Sequence, residues 1–383
     1  MRVFDFLYTL LALALFGVAL PFILFLSLKQ KYRFSLPARF FLYRNPPFRP
    51  HDVWFHVCSL GEAKALSPLM ERLKGRNIAI TTITHTGYET ASRYEAQVRY
   101  LPFEPWLWIW IRRPQKVVIL EAEFWYLLFR IATLRGAKVI ALNARISDRS
   151  FPKYYKMRWF YQRLFAHCDT ILCQSEVDRD RFIALGARNV QVVGNIKLAQ
   201  KIQIHQRYFK PQGTLIVAAS THEGEEMGIL KGFHTYRKHN PFAKLLIVPR
   251  HPERFSEVET MIRDTLHELS FSAWSQSHHL KSDITLIDAM GELNNFYAIS
   301  DVAILGGAFA PIGGHNPLEP AHFGCKIITG EHIFLQKELF KYVSSVQFVS
   351  SDGISGALIE AETLPKSTIT GTIDLDHVME YLD

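Results

Sequence analysis

A single carboxylate, Glu62, stands in Ser59-Leu60-Gly61-Glu62, between the apolar run Val53–Cys58 and a helical stretch. A carboxylate there can act as a general base, taking the proton from a hydroxyl that adds to an anomeric carbon. It can equally serve the positive end of the helix dipole. Glu121 and Glu123 follow another apolar run, Val117–Leu120, and precede Phe124-Trp125-Tyr126. Asn143-Ala144-Arg145 ends a third run, where an arginine can grip phosphate or carboxylate with two parallel hydrogen bonds. Further along, Ser220-Thr221-His222-Glu223 and Pro249-Arg250-His251-Pro252 repeat the arrangement. A basic pair between prolines suits a rigid anion clamp, or a plain surface turn. The richest stretch is Gly306-Gly307-Ala308-Phe309-Ala310-Pro311-Ile312-Gly313-Gly314-His315-Asn316-Pro317-Leu318-Glu319. Glycines let a backbone approach a ligand, and the helix start that follows offers free N–H groups. In that helix Asn316 fits the cap, Pro317 the first turn and Glu319 the third position.

These residues need a scaffold that presents strand ends together. From Asp52 the chain alternates short apolar runs with helical patterns, a βαβα rhythm that implies parallel sheets covered on both faces. Predicted strands in the first half are Val53–Cys58, Ile78–Thr82, Lys116–Leu120, Lys138–Leu142, Thr170–Cys173 and Gln191–Val193. The rhythm breaks over the basic stretch 194–213 and restarts with Leu215–Ala219, Lys244–Val248, Phe271–Trp274, Ile284–Ile287, Asp301–Leu305 and Lys326–Thr329. With 383 residues, 48% of them hydrophobic, the chain can fill two cores. The division predicted is an anchor over 1–29, an N-terminal domain over 30–193, a linker over 194–213 and a C-terminal domain over 214–383. Ligands of such sheets sit beyond the strand carboxyl ends.

Residues Phe6 to Leu28 carry no charge, long enough for a membrane helix, and no small-residue cleavage site follows. Lys29, Lys31, Arg33, Arg39, Arg44 and Arg49 follow the run before its next acid, Asp52, whereas Arg2 alone is the cation ahead of the run. The positive-inside rule then predicts a retained anchor with everything after it on the cytoplasmic side. The formal net charge of +8 suits anionic lipids and anionic substrates. No helix-turn-helix, zinc-finger or RNP pattern accompanies it, so no nucleic-acid partner is predicted. The four cysteines, Cys58, Cys168, Cys173 and Cys325, lack metal or disulfide spacing. The sixteen histidines form no ligand motif, and Asp374-Leu375-Asp376 resembles a DxD but follows no core strand. No metal and no cofactor are expected.

Taken in order, these segments resemble the 3-deoxy-D-manno-octulosonic acid (Kdo) transferases of lipopolysaccharide synthesis. The resemblance runs through Ser59–Glu62, Thr81–Gly87, Tyr100–Phe103, Glu121–Trp125, Asn143–Ser147, Gln174–Glu176, Gly194–Lys197, Ala219–Glu225, Pro249–Phe255, Met290–Leu293 and the glycine loop. It implies a GT-B glycosyltransferase: two Rossmann-like βαβ domains facing a central cleft, preceded by the N-terminal membrane-anchor helix. It implies transfer of Kdo from CMP-Kdo to lipid IV(A), with inversion and without a metal, at the inner membrane. By the same resemblance Glu62 is the catalytic base, and Glu123 and Lys197 support the transition state. Pro249, Arg250, Met290, Gly291, Glu292, Asn316, Pro317, Leu318 and Glu319 meet CMP, with Glu319 on the ribose and Arg250 on the phosphate. The chain departs from the family pattern at Glu104, Tyr126-Leu127 and Leu198-Ala199. Two other readings stay open: another GT-B enzyme of the cell envelope, or a non-catalytic membrane-anchored binder of a nucleotide-sugar.

Overall fold

The computed structural model describes residues 3–383; Arg2, expected ahead of the apolar run, lies outside the described residues. The chain divides into two compact units, Met1–Lys201 with Thr372–Asp383, and Ile202–Gly371.

Unit 1 begins with helix α1 (Val3–Ser27) and the short α2 (Ser35–Phe41). Its sheet comprises β1 (Val53–His56), β2 (Ile78–Thr82), β3 (Gln97–Tyr100), β4 (Lys116–Leu120), β5 (Lys138–Ala144), β6 (Thr170–Cys173) and β7 (Val190–Val192). The spatial order is β3-β2-β1-β4-β5-β6-β7, and every neighbouring pair is parallel. The strands alternate their side chains between two cores. Trp54, Val117, Ile119, Val139 and Ala141 fill one face, while Phe55, Val118, Leu120 and Ile140 fill the other. Strands buried on both faces read as unbroken apolar runs, which is why the sequence marks them so clearly. The helical stretch after β1 is split into α3 (Leu60–Ala65) and Ser67–Arg72, because Pro68 suits only the first turn of a new helix.

The packing of α1 could not be read from hydropathy. Asp5 is fully buried, its carboxylate paired with Arg130 at 3.1 Å and accepting the Tyr126 hydroxyl at 2.7 Å. One turn on, the Tyr8 hydroxyl donates to Glu104 at 2.7 Å, and the other Glu104 oxygen accepts the Leu127 N–H at 2.8 Å. Phe16, halfway along, stacks on Phe40 and meets Phe103.

Unit 2 holds β8 (Leu215–Thr221), β9 (Lys244–Pro249), β10 (Phe271–Ala273), β11 (Ile284–Leu286), β12 (Val302–Leu305), β13 (Lys326–Thr329) and β14 (Val346–Phe348). Their order is β10-β11-β9-β8-β12-β13-β14, again all parallel. The C-terminal boundary differs from the sequence reading. Residues 372–383, expected in the second domain, belong to unit 1, where Val378, Met379 and Leu382 of the helix Leu375–Leu382 join its core. That helix carries its apolar side chains at 3.6-residue spacing and buries them beside β1 and β2 residues. Asp374 caps it by accepting the His377 N–H, and Asp376 pairs with Arg72, so the DxD-like pair serves a helix start.

Candidate functional site

In each sheet the chain runs outward from one strand and later restarts on its other side. These switch points fall between β1 and β4 in unit 1 and between β8 and β12 in unit 2. Loops leaving adjacent strands there diverge and open a crevice. The loops after β1 and β4 carry Glu62, Glu121 and Glu123; those after β8, β9 and β12 carry His222, Arg250 and the glycine loop.

In unit 1, Ser59 caps α3 by accepting the Glu62 N–H, and its hydroxyl donates back to the Glu62 carboxylate at 2.9 Å. The second Glu62 oxygen accepts the Cys58 N–H at 2.7 Å. A capping box thus fixes the carboxylate while burial desolvates it. Burial, with Glu121 and then Glu123 nearby, pushes the Glu62 pKa up to about 7, against an ordinary value near 4.5. Glu121 is forced into the left-handed region (φ 54°), a strain of roughly 1–2 kcal/mol for a non-glycine residue. Burial opposes its charge, but Lys197 at 2.8 Å and Arg145 at 3.4 Å hold its carboxyl below the ordinary range. Glu123 accepts the Trp125 indole N–H at 3.0 Å, and burial raises its pKa. Lys197, expected to act beside Glu123, is therefore ion-paired with Glu121. Among the described residues, Cys58, Glu62 and Glu123 also place one sulfur and two carboxylates within 4.8 Å of one another, a set that could meet a cation. Both Glu62 oxygens already accept hydrogen bonds there.

In unit 2 the glycine loop leaves β12 and turns back at once. A Cβ on Gly306 would lie 2.6 Å from the Ser220 carbonyl oxygen, so only glycine fits; Gly307 takes a positive φ of 71°. The N–H groups of Gly307, Phe309 and Ala310 all donate to the buried Glu225 carboxylate at 2.8, 2.9 and 3.2 Å, and that of His222 joins them at 2.9 Å. The loop therefore wraps an internal anion, where the sequence offered its glycines for close approach to a ligand. The helix that follows spans Leu318–His322, one residue later than expected, with Pro317 as its cap. Asn316 still accepts the Leu318 N–H at 3.0 Å and donates to Glu319 at 3.4 Å. His315 and His222 stack with their Nε2 atoms 3.0 Å apart; burial, then His222, Arg250 and His251, push the His315 pKa down to about 4.

Arg250 is exposed, its N–H held by the Thr221 carbonyl at 3.0 Å after Pro249 closes β9. Arg254 stiffens the same loop by gripping the buried Glu226 with both guanidinium nitrogens, at 2.5 and 3.3 Å. Met290 is exposed, Gly291 turns with a φ of 88°, and Glu292 accepts from the Tyr208 hydroxyl at 2.7 Å and from Asn295 at 2.8 Å. The helix Leu293–Tyr297, which follows Met290–Glu292, packs on Leu318–His322, which holds Glu319. Sequence reasoning named Glu121 but not its two cations, and it missed the work of Glu225. The one signal for Glu225 was its place just ahead of the helix Glu226–His239, where an acid is favoured.

Two parallel, doubly wound sheets with polar and charged side chains gathered at their switch points define a fold of the GT-B kind. A crystal structure of a putative UDP-N-acetylglucosamine 2-epimerase from Listeria monocytogenes shares that fold, with a TM-score of 0.55 at 12% identity over 82% of this chain and 88% of that one. The family model for 3-deoxy-D-manno-octulosonic-acid transferase matches residues 34–200. A 3-deoxy-D-manno-octulosonic acid transferase from Haemophilus influenzae is 34% identical over 369 residues, 90% of this chain and 86% of that protein. One from Chlamydia pneumoniae is 32% identical over 372 residues, 88% and 83% of the two chains. The chain belongs to the Kdo transferase family of glycosyltransferases.

Proposed function

We propose that this chain transfers Kdo from CMP-Kdo to lipid IV(A), with inversion, and that Glu62 is the general base. The observation that carries the base assignment is the fixed, desolvated Glu62 carboxylate with its pKa near 7. A base is most effective when its pKa lies near the working pH. The acceptor hydroxyl forms a bond to the anomeric carbon of Kdo as that carbon's bond to the CMP phosphate breaks. The hydroxyl proton passes to Glu62, and the bonding pair leaves with CMP. CMP departs as an anion and needs no proton, so positive charge is what its departure calls for. In this reading the exposed Arg250 meets the phosphate, with Met290–Glu292 and Asn316–Glu319 meeting the nucleoside, and Glu319 the ribose hydroxyls. Glu123 and Lys197 belong to the acid-rich surroundings of the base, Lys197 acting through its pair with Glu121. The N-terminal domain takes the acceptor and the C-terminal domain the donor. The basic segment after α1 supports a place on the cytoplasmic face of the inner membrane.

The test is direct. Protein incubated with CMP-Kdo and lipid IV(A), with and without a chelator, yields a product whose mass reports each added Kdo and whose anomeric signal reports inversion. Transfer with retention, loss of activity on chelation, or an equal preference for UMP or ADP over CMP in binding would each remove part of the reading. Unchanged turnover in Glu62→Ala would remove the base.

A further inference from the structure

We infer that α1 lies along the membrane surface beside unit 1, one face packed on protein and the other sunk in lipid hydrocarbon, and does not cross the bilayer. The inference rests on packing, exposure and charge and is independent of the reaction proposed above.

Covered positions recur along α1 at helical spacing, from Asp5 through Tyr8 and Phe16 to the buried Ile23. Protein thus covers one stripe of the helix for nearly its whole length, about 37 Å for 25 residues. The start of α1 is held by Arg130, Tyr126 and Glu104, and its middle by Phe40 and Phe103. Beyond its end, α2 is tied to the same unit by Arg39, which donates to the Leu101 carbonyl at 3.1 Å. A spanning helix places its two ends on opposite sides of a hydrocarbon layer about 30 Å thick. With both ends on one unit, spanning would drag the loop at Glu104 and the helix Tyr126–Leu134 into lipid. Irregular backbone exposed to lipid leaves its polar groups unpaired and is not found there.

The opposite stripe is apolar throughout and exposed, as at Phe6, Leu10, Val18 and Phe25. Ile109 extends it from the helix Leu107–Trp110, whose Trp108 indole donates to Thr9. So long an apolar strip marks an interaction surface. Charge identifies the occupant as lipid. Lys29, Lys31 and Arg33 follow the end of α1, and Arg163 lies over Phe4 and the half-exposed Trp159 at its start. Cations and tryptophan bordering an apolar strip are what a headgroup region attracts. The pattern is that of an interfacial helix, apolar on its lipid side and pinned by its neighbours.

The experiment uses the full chain in vesicles of phosphatidylethanolamine and phosphatidylglycerol. Single nitroxide labels at Leu7, Leu15 and Phe22, all on or beside the exposed stripe, report immersion depth from oxygen and nickel accessibility. The expected result is one shallow depth for all three, equal within about 3 Å, at the headgroup–acyl boundary. Leu15 deeper than both others by about 10 Å would mean a crossing helix and overturn the inference. So would labels that couple to one another and stay inaccessible to oxygen, which would seat a second copy on the strip. As a second measurement, Asp5→Ala strands Arg130 as a buried unpaired charge. If α1 is docked, the melting midpoint falls by about 6 °C or more. An unchanged midpoint would show that α1 stands away from unit 1.

Discussion

The two switch points hold carboxylates in opposite ways. At β1/β4 Glu62 receives two hydrogen bonds, faces two more carboxylates, and sits with a raised pKa. At β8/β12 Glu225 receives four backbone N–H groups. The same residue type at the same topological place is thus made proton-hungry in one unit and structural in the other. At Glu62 burial acts first and the neighbouring Glu121 second. Glycine follows the same division. The β12 loop needs glycines because the backbone must close around Glu225, whereas the β1 loop relies on a capping box.

The contrast can be broken most forcefully at Glu62. Glu62→Ala should lower transfer by about 10²–10⁴-fold while CMP affinity, read by calorimetry, stays the same. Equal losses in both would make Glu62 a binding residue. Next comes Glu225→Ala, which leaves four backbone donors without their acceptor. We expect about 3 kcal/mol or more of destabilisation, seen as a midpoint lowered by about 6 °C or more, with CMP binding weakened. A variant as stable as the parent would show that the loop does not depend on its internal anion.

The pH profile sharpens the comparison further. As the proposed base Glu62 must be ionised to act, so the rate should fall about tenfold per unit below pH 7. Its raised pKa also has a sign for stability. The folded form keeps a proton that the unfolded chain gives up near 4.5, so this group's contribution is complete below 4.5 and is lost as pH rises toward 7. Glu121→Gln removes a neighbouring negative charge and frees two cations, so the inflection should move to lower pH. An inflection unmoved in that variant would mean that Glu121 does not help to set the Glu62 pKa. The smallest effect belongs to Asn316→Ala, which should cost about 1 kcal/mol through the Leu318 N–H and raise the CMP dissociation constant several-fold, measured by titration.

Most strands were legible because parallel strands buried on both faces leave unbroken apolar runs. β3 was not: Gln97 and Arg99 point to a half-open side, so its run is interrupted. The helix Leu375–Leu382 was assigned to the wrong unit because nothing local tells an amphipathic turn which core will take it. Glu62, Arg250 and the glycine loop lie just past strand ends, where the sequence placed them. The roles of Glu225 and Glu121 depended on partners up to 85 residues distant, which no spacing rule reaches. Asp5 is the extreme case. It stands just before a charge-free run and reads as the edge of an anchor, yet its partner Arg130 lies 125 residues on. Glu104 and Tyr126 close on α1 through Tyr8 and Asp5, and the Leu127 N–H holds the Glu104 carboxylate from the other side.

Because Glu225 already organises the β12 loop, the ordering entropy of residues 306–310 is spent during folding and not at the moment of encounter. Amide exchange at Gly307, Phe309 and Ala310 should therefore be slow in the free protein and change little on addition of CMP. On the proposed function, donor capture then becomes a collision with a finished surface, and differences in affinity among nucleotides will lie in how fast they leave.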